Sequence, residues 1–446
     1  MTEIEVARAA RGSLGSSYRK LFAATTLSNI GDGMSMIAYP WLASAITRNP
    51  ILIACVAVAQ RLPWLVFTLP AGVITDRVDR KRAMVTMDLL RFVLTAFVAI
   101  AVLGQQGSLP SPDQIGNITT TRTGLYLLLL SATLLLGMAE VLHDNCGQTF
   151  MPSIVDSEHL ERANGRLWSA EGIANTFIGP PLGSLLLVVG FALPFFVDAA
   201  SFFVAAALLA SIPGSFRAKR PDDHVEAPWR QELAEGFRWL WRHPLLRSMA
   251  IILGLMNMAS MVSGSVIVLF AQDVLEIGPV KFTIMGFGWA LGGAIGGYIA
   301  PWMSRRFGSG TCLSMTLGSA SVVALLVGLS SWWPVVMVLY GFGVLLGSTW
   351  NVITVSLRQS IIPSHLLGRV NSVYRFFAWG MMPVGAAVGG LTVWIVDRSA
   401  SHEIALRSVF FVDAGVHAIL FVFGSRLLTT KRLEAARSGA TSWSAT

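Results

Sequence analysis

Hydrophobic positions along this chain fall in long uninterrupted blocks, and polar positions are confined to short breaks between them. A helix rises 1.5 Å per residue, so about 20 apolar residues cross the ~30 Å hydrocarbon core of a bilayer. By that measure the pattern predicts twelve spanning helices, near 20–46, 51–75, 83–104, 124–147, 166–190, 191–212, 246–271, 281–303, 309–330, 334–358, 366–396 and 404–428. One further stretch has a different period. Around Trp229–Arg242, Trp229, Leu233, Phe237, Leu240 and Trp241 gather near one face of a helix, and Arg230, Glu232, Glu235, Arg238 and Arg242 lie elsewhere. That amphipathic segment is expected to lie along the inner membrane surface or to pack on the inner ends of the helices.

Composition agrees with the blocks. The 446 residues are 54% hydrophobic and 13% charged, with a mean hydropathy of +0.62; a soluble chain of this length carries about twice that charge fraction. The net charge of +8 has a topological origin. Of the 33 Lys and Arg, 25 fall in the leader, the tail and alternate connections on one side, five fall on the other side, and Arg61, Arg91 and Arg375 lie within spans. The positive-inside rule then places both termini in the cytoplasm of a multi-pass plasma-membrane protein, the bacterial inner membrane. Nucleic acid is not implied. The first 19 residues hold no apolar core, so no cleavable signal is expected and the first span acts as an anchor. Cys55, Cys146 and Cys312 all fall inside spans and read as core residues, not as a metal or disulfide framework.

The chain divides into a leader (1–19), six spans (20–212), a polar central loop with the amphipathic helix (213–245), six more spans (246–428) and a tail (429–446). The halves repeat. Arg162-Ala-Asn164 and Arg369-Val-Asn371 are 207 apart, and at that spacing Gly183 falls on Gly390. Gly72 and Arg80-Lys81 match Gly297 and Arg305-Arg306 at a spacing of 225. Two parallel six-helix repeats are the arrangement of transporters that bind substrate at the membrane midplane.

The densest charge cluster, Gly72-Val-Ile-Thr-Asp76-Arg77-Val-Asp79-Arg80-Lys81-Arg82, closes the second span and opens the third. It marks a cytoplasmic hairpin, with a glycine for close packing and an aspartate for an ion pair. It resembles the signature of the major facilitator superfamily, G-x-x-x-D-R/K-x-G-R/K-R/K, with Asp79 in place of the second glycine. In the fifth span, Gly179-Pro180-x-x-Gly183 resembles the antiporter motif of drug exporters in that superfamily. Ser28-Asn-Ile-Gly31-Asp32, Leu62-Pro63-Trp64, Asp88-Leu-Leu-Arg91 and Leu367-Gly-Arg369-Val-Asn371 are similar to its enterobactin-exporter and macrolide-efflux branch. The resemblance covers nearly the whole chain. It implies an all-α fold of two pseudo-symmetric six-helix bundles, export of an amphipathic small molecule, and a conformational latch built from Gly72, Asp76, Arg77 and Arg80.

Ionisable groups inside spans mark candidate function, because each costs about 2.5–3.5 kcal/mol on insertion scales. Asp32 and Arg61 sit at similar depth in the first and second spans, so Asp32 is expected to carry a proton or a substrate cation with Arg61 tuning it; a fixed structural pair is the alternative. Glu140 and Asp144 share one helix face. Asp144 is expected to join an arginine of the hairpin, and Glu140 to be a second proton carrier or a packing residue. Glu171 precedes Gly172 and serves coupling or rim packing. Arg91 is expected to pair with Asp88, three residues away. Trp41, Trp64, Trp168, Trp289, Trp350 and Trp379 are candidates to line a greasy cavity, although tryptophan is also ordinary membrane packing.

No Gly-rich phosphate loop ends in Lys-Ser/Thr, so ATP is not the expected energy source. The seven histidines have no ligand spacing, and neither a catalytic set, a metal nor a cofactor is implied. The sequence therefore reads as a monomeric secondary transporter exporting a small molecule against protons. An uptake symporter or facilitator on the same fold, and a non-transporting sensor or scaffold, are the alternatives.

Overall fold

The computed structural model describes residues 14–75, 77–110, 120–156, 159–217, 229–363 and 366–438. Among these residues regular structure is helical, with one isolated backbone bridge between Asp79 and Arg217. The helices are α1 (Gly15–Ile46), α2 (Pro50–Val66), α3 (Thr68–Thr75), α4 (Arg80–Leu103), α5 (Thr123–Phe150), α6 (Leu160–Ile173), α7 (Gly179–Val189), α8 (Ala192–Ala210) and α9 (Trp229–Arg242). They continue as α10 (Pro244–Gly264), α11 (Ile267–Asp273), α12 (Pro279–Phe307), α13 (Ser309–Leu329), α14 (Trp333–Ile361), α15 (Leu367–Gly380), α16 (Met382–Val396), α17 (His402–Leu427) and α18 (Thr430–Arg437).

Ten helical segments are long and apolar enough to cross a bilayer, each matching one predicted block. The other two blocks are α1, 32 residues or about 48 Å long, and the pair α2–α3, interrupted at Phe67. Together they account for the twelve blocks.

α4 shows how such a helix is made. Leu89, Val93, Phe97 and Ile100 are 40–60% exposed along one stripe, the face suited to lipid. Met84, Asp88, Arg91, Thr95, Val98 and Val102 are buried along the other. The polarity is inverted relative to a soluble helix, because here the polar atoms find partners only inside the protein.

Contacts group the chain into two compact units. One comprises Met1–Leu42, Val66–Pro112 and Thr123–Pro221; the other comprises Ala43–Leu65, Asp113–Arg122 and Asp222–Thr446. The second predicted span is thus divided: α2 packs with the second unit and α3 with the first. Gly390 of α16 is the reason α2 can approach, since a Cβ there would lie 2.4 Å from Ala54 Cβ and 2.9 Å from the Pro50 carbonyl.

In the second unit a glycine seam joins α12 to α14. Cβ atoms at Gly288, Gly292 and Gly296 would fall 2.0–2.2 Å from the carbonyls of Met337, Gly341 and Leu345. Glycines four apart let two backbones touch, as in small-residue membrane interfaces. Trp350, Leu313, Val370 and Tyr374 fill one apolar cluster of this unit, and Phe270, Phe410, Leu269 and Val336 fill another. The amphipathic α9 packs on α15: Phe237 and Trp241 stack with Phe377, and Glu235 pairs with Arg369.

Candidate functional site

The Gly72–Arg82 hairpin is fastened to backbone carbonyls. Arg80 Nη1 donates to the Thr149 carbonyl at 2.9 Å, just before the end of α5. Lys81 Nζ donates to Ile212 and Gly214 at 2.9 and 2.8 Å, just beyond α8. Arg80 thus caps the end of α5, whose last carbonyls lack intrahelical partners, and Lys81 ties down the chain that leaves α8. Asp79 needs no glycine-like backbone, with φ −71° and ψ 114°. Its Oδ1 accepts the Arg82 amide at 3.0 Å as the N-cap of α4, and its Oδ2 accepts Ser215 Oγ and the Phe216 amide at 2.6 and 2.8 Å. The residue that replaces the motif glycine is therefore the fastening of the hairpin to the α8 exit. Partial burial pushes this carboxyl up, but the bonds from Ser215, Arg82 and Phe216, together with the Arg82 charge, hold it below the ordinary carboxylate range. Asp76 lies outside the described residues. Arg77 is exposed, and Gly72 has open space where a Cβ would stand.

Deeper in the same unit four helices bring their ionisable groups together. Arg91 of α4, 4% exposed, places Nη2 2.5 Å from Asp32 Oδ1 of α1. Its Nη1 is 3.3 Å from Ser28 Oγ and 3.7 Å from Asp88 Oδ1. The guanidinium carbon lies 4.0 Å from the centre of the Phe202 ring of α8, a cation–π contact. On the far side of Asp88, His143 Nε2 of α5 stands 3.5 Å from the same Oδ1, and His143 Nδ1 stands 3.5 Å from Asp144. Asp198 of α8 accepts Ser35 Oγ at 2.5 Å. Asp88 is fully buried, whereas the Asp32 side chain keeps 31% of its surface. The Asp32 carboxylate thus has exposed surface on one side and a sealed cation on the other.

This geometry changes the expected pairings. The guanidinium against Asp32 is Arg91's; Arg61, half-buried in α2, belongs to the other compact unit. Equal depth does not fix azimuth, and within the first unit Arg91 turns inward against α1. The Asp88–Arg91 contact is present, but it is the looser of the two ion pairs of Arg91. Asp144 meets His143, and the hairpin's Arg80 goes instead to the Thr149 carbonyl, further along α5. Glu140 adds to the negative field at Arg91, and Glu171 is exposed on α6. Trp41 and Trp350 are sealed in the core and Trp168 is 74% exposed. Trp64 and Trp379 face each other at 6.5 Å.

The Gly172–Gly183 stretch leaves α-helical geometry. Ala174–Ile178 form a π-helical turn, which inserts one residue into the repeat. Beyond it the true spacing is 206. Gly179 packs against Ile30 and Gly33 of α1 as Gly385 packs against Met258 of α10, and Gly183 meets Met34 as Gly389 meets Val262. Gly183 therefore corresponds to Gly389, not Gly390, and Pro180-Pro181 correspond to Ala386-Ala387.

Asp198 was not singled out by the sequence reasoning, although a lone aspartate in Phe195-Phe-Val-Asp198-Ala-Ala carried the same signal as Asp32. Missed too was the second-unit cluster in which Arg48 pairs with Asp273 and with Gln272, and His402 reaches Asp273 and Asp397 at 3.3 and 2.9 Å. Among the described residues no group of three or more His, Cys, Asp or Glu is arranged to hold a metal ion.

Comparison with known proteins agrees with this architecture. Residues 21–386 match the Major Facilitator Superfamily. The chain is 28% identical over 404 residues to the multidrug efflux pump Tap of Mycobacterium tuberculosis, covering 84% of this chain and 86% of that one. It is 26% identical over 385 residues to the enterobactin exporter EntS of Shigella boydii, with 84% and 85% covered. Among solved structures, a bacterial homologue of the iron transporter ferroportin superposes with a TM-score of 0.70 at 14% identity, over 94% of this chain and 100% of that one. The nucleoside transporter NupG gives 0.67 at 11% identity, over 93% and 99%. With its helices, its hairpin signature and its repeat all accounted for, the chain belongs to the Major Facilitator Superfamily of transporters.

Proposed function

We propose that this transporter exports an amphipathic small molecule from the cytoplasm in exchange for protons, by alternating access. The observation that carries the reading is Asp32, a partly exposed carboxylate held on a buried arginine within an otherwise greasy helix bundle. Protonation would release Asp32 from Arg91, and deprotonation would restore the pair, so occupancy of that carboxyl can bias the helices it joins. The direction of transport is supported by the Tap and EntS relatives, whose names describe efflux and export, and by the Gly179-Pro180-x-x-Gly183 segment. The 25 basic residues on the hairpin side support a cytoplasmic hairpin and cytoplasmic termini. Asp76 and Arg77 would latch the hairpin during the cycle, and a monomer suffices for such a cycle.

Proteoliposomes with an imposed pH gradient and an amphipathic dye test this. The wild-type chain is expected to move dye only while the gradient lasts, and Asp32→Asn to fold normally and move none. Gradient-independent flux, or full coupled transport by Asp32→Asn, would remove the proton-exchange mechanism.

A further inference from the structure

α8 and α17 carry the same five residues: Phe195-Phe-Val-Asp198-Ala199 recurs as Phe410-Phe-Val-Asp413-Ala414, 215 further along. Both aspartates are sealed, 2% and 6% exposed. Each receives a serine hydroxyl from the helix that opens its unit's frame, Ser35 Oγ of α1 at 2.5 Å and Ser263 Oγ of α10 at 2.7 Å. The likeness stops at the other oxygen. Asp413 Oδ1 has a counter-group one turn along, His417 Nδ1 at 2.7 Å. The residue matching His417 in α8 is Phe202, and Asp198 Oδ1 has no hydrogen-bond partner among the described residues. That oxygen occupies the place a Gly31 side chain would need, since a Cβ there would lie 2.2 Å from it. At the spacing of 228 that sets Ser35 on Ser263, Gly31 matches Ala259 and Asp32 matches Ser260. Three differences therefore coincide. Glycine for alanine lets the Asp198 carboxyl reach the backbone beside Asp32, phenylalanine for histidine withholds a counter-charge, and a second acid stands where the other unit has a serine.

The surroundings give Asp198 no cation of its own. Asp32 and Tyr39 of α1 and Arg91 of α4 are within reach of its charge, and α7 brings no ionisable residue to it. Arg91 is held by Asp32, with Asp88 on its other amino group and Glu140 of α5 in the same field. Asp88 has His143 on its far side, and His143 meets Asp144. A sealed carboxyl that lacks a counter-charge is kept as the neutral acid, because ionising it there is too costly. Phe202 lies four residues beyond Asp198, on the same helix face, and carries the Arg91 guanidinium at 4.0 Å from its ring centre. Arg91 thus touches both the Asp32 carboxylate and the face of α8 that bears Asp198.

Building on the reading that Asp32 exchanges protons, we propose that Asp198 is its partner acid: the two carboxyls share one proton, and Arg91 pairs with whichever of them is ionised. In this structure the proton is on Asp198 and Arg91 holds Asp32. Transfer breaks the O–H bond at Asp198 and forms one at Asp32, Arg91 turns along α8 to the new carboxylate, and the charge of the three groups is unchanged. Neighbouring acids that cannot both ionise divide a proton in this way.

Infrared spectroscopy of the full-length chain in phosphatidylcholine nanodiscs at neutral pH tests the shared proton. The wild type is expected to show a protonated-carboxyl C=O band that Asp198→Asn removes, an exchange that keeps an acceptor for Ser35. Asp32→Asn deprives Arg91 of its ionised partner, so the proton should leave Asp198 and the same band should vanish there too. A spectrum that Asp198→Asn leaves unchanged overturns the proposal, because Asp198 is then ionised throughout. A band lost in Asp198→Asn but kept in Asp32→Asn also overturns it, since a merely structural acid stays protonated whatever happens at Asp32. Should Asp198→Asn fail to fold, Phe202→His assigns the band instead by supplying the counter-group that Asp413 has: its loss places the proton on Asp198, and its persistence refutes the proposal. The measurement needs neither substrate nor gradient. Its failure leaves proton exchange at Asp32 standing, and a failure of gradient-driven flux leaves the band to be read on its own.

Discussion

The two units are built on one frame and filled with different chemistry. Ser35 reaches Asp198 at 2.5 Å in the first, and Ser263 reaches Asp413 at 2.7 Å in the second. Asn29 accepts from Asn175, and Asn257 donates to the Ala378 carbonyl. The glycine contacts between first and fifth helices also recur. Yet the positions matching Asp32, Asp88, Arg91 and His143 are Ser260, Leu313, Thr316 and Trp350. Leu313 and Trp350 are sealed in an apolar cluster, and Thr316 Oγ1 returns to the Cys312 and Leu346 carbonyls at 3.1 and 3.0 Å. The second unit shows that this frame closes without buried ions at those places. The frame itself does not demand ions at those places, and the second unit holds its own buried pair elsewhere, His417 with Asp413 at 2.7 Å.

The largest expected effect separates these fillings. Arg91→Met leaves Asp32 and Asp88 facing apolar surroundings without a cation, and breaking such a buried pair costs about 3–5 kcal/mol. Thr316→Val in the second unit loses one hydroxyl donor shared between the Cys312 and Leu346 carbonyls, worth about 1 kcal/mol. Melting both variants in one detergent should show Arg91→Met lowered several times as far. Equal shifts would mean that the charge network is as incidental as the hydroxyl.

The next comparison sets the α12–α14 seam against the hairpin at α3. The seam at Gly292 has no room, since a Cβ would sit 2.0 Å from the Gly341 carbonyl. Gly292→Ala must push two backbones apart, and overpacking of this kind costs about 1–3 kcal/mol. A melting temperature unchanged from wild type would show that the seam yields freely.

The fold was legible because the bilayer imposes block lengths that need no tertiary information: ten of the twelve blocks reappear as helical segments long and apolar enough to cross, and the other two as α1 and the interrupted α2–α3. The site was legible by residue type and not by partner. Asp32 announced itself by its cost, but whether Arg61 or Arg91 would meet it depends on helix rotation, which hydropathy does not record. The Gly183–Gly390 register failed by one residue because a π-turn leaves no mark in composition. Asp79 was read as a missing glycine, whereas its two oxygens hold three partners that come from a turn 136 residues away and from its own helix start.

That carboxylate gives a smaller, sharper test. Asp79→Ala removes the N-cap of α4, worth about 1 kcal/mol, together with the anchor for Ser215 and Phe216. Since the folded carboxyl titrates below its ordinary value, its contribution is complete above about pH 4, the unfolded value, and fades as pH falls through the folded one. Wild type and variant should therefore differ in melting at pH 7 and converge in strong acid. A difference that widens on acidification would contradict this assignment.

The smallest expected effect concerns Gly72, whose motif suggests a need for glycine that its surroundings do not show. A Cβ at Gly72 would meet nothing within 4 Å, and alanine inside a helix is favoured over glycine by roughly 0.5–1 kcal/mol. Gly72→Ala should thus leave stability unchanged or slightly raised, the reverse of Gly292→Ala. If transport nevertheless falls while the melting temperature holds, the close approach that Gly72 serves belongs to a different conformation of the cycle. If the melting temperature itself falls by as much as for Gly292→Ala, the contrast between a sealed seam in α12 and an open hairpin at α3 is wrong, and both glycines serve static packing.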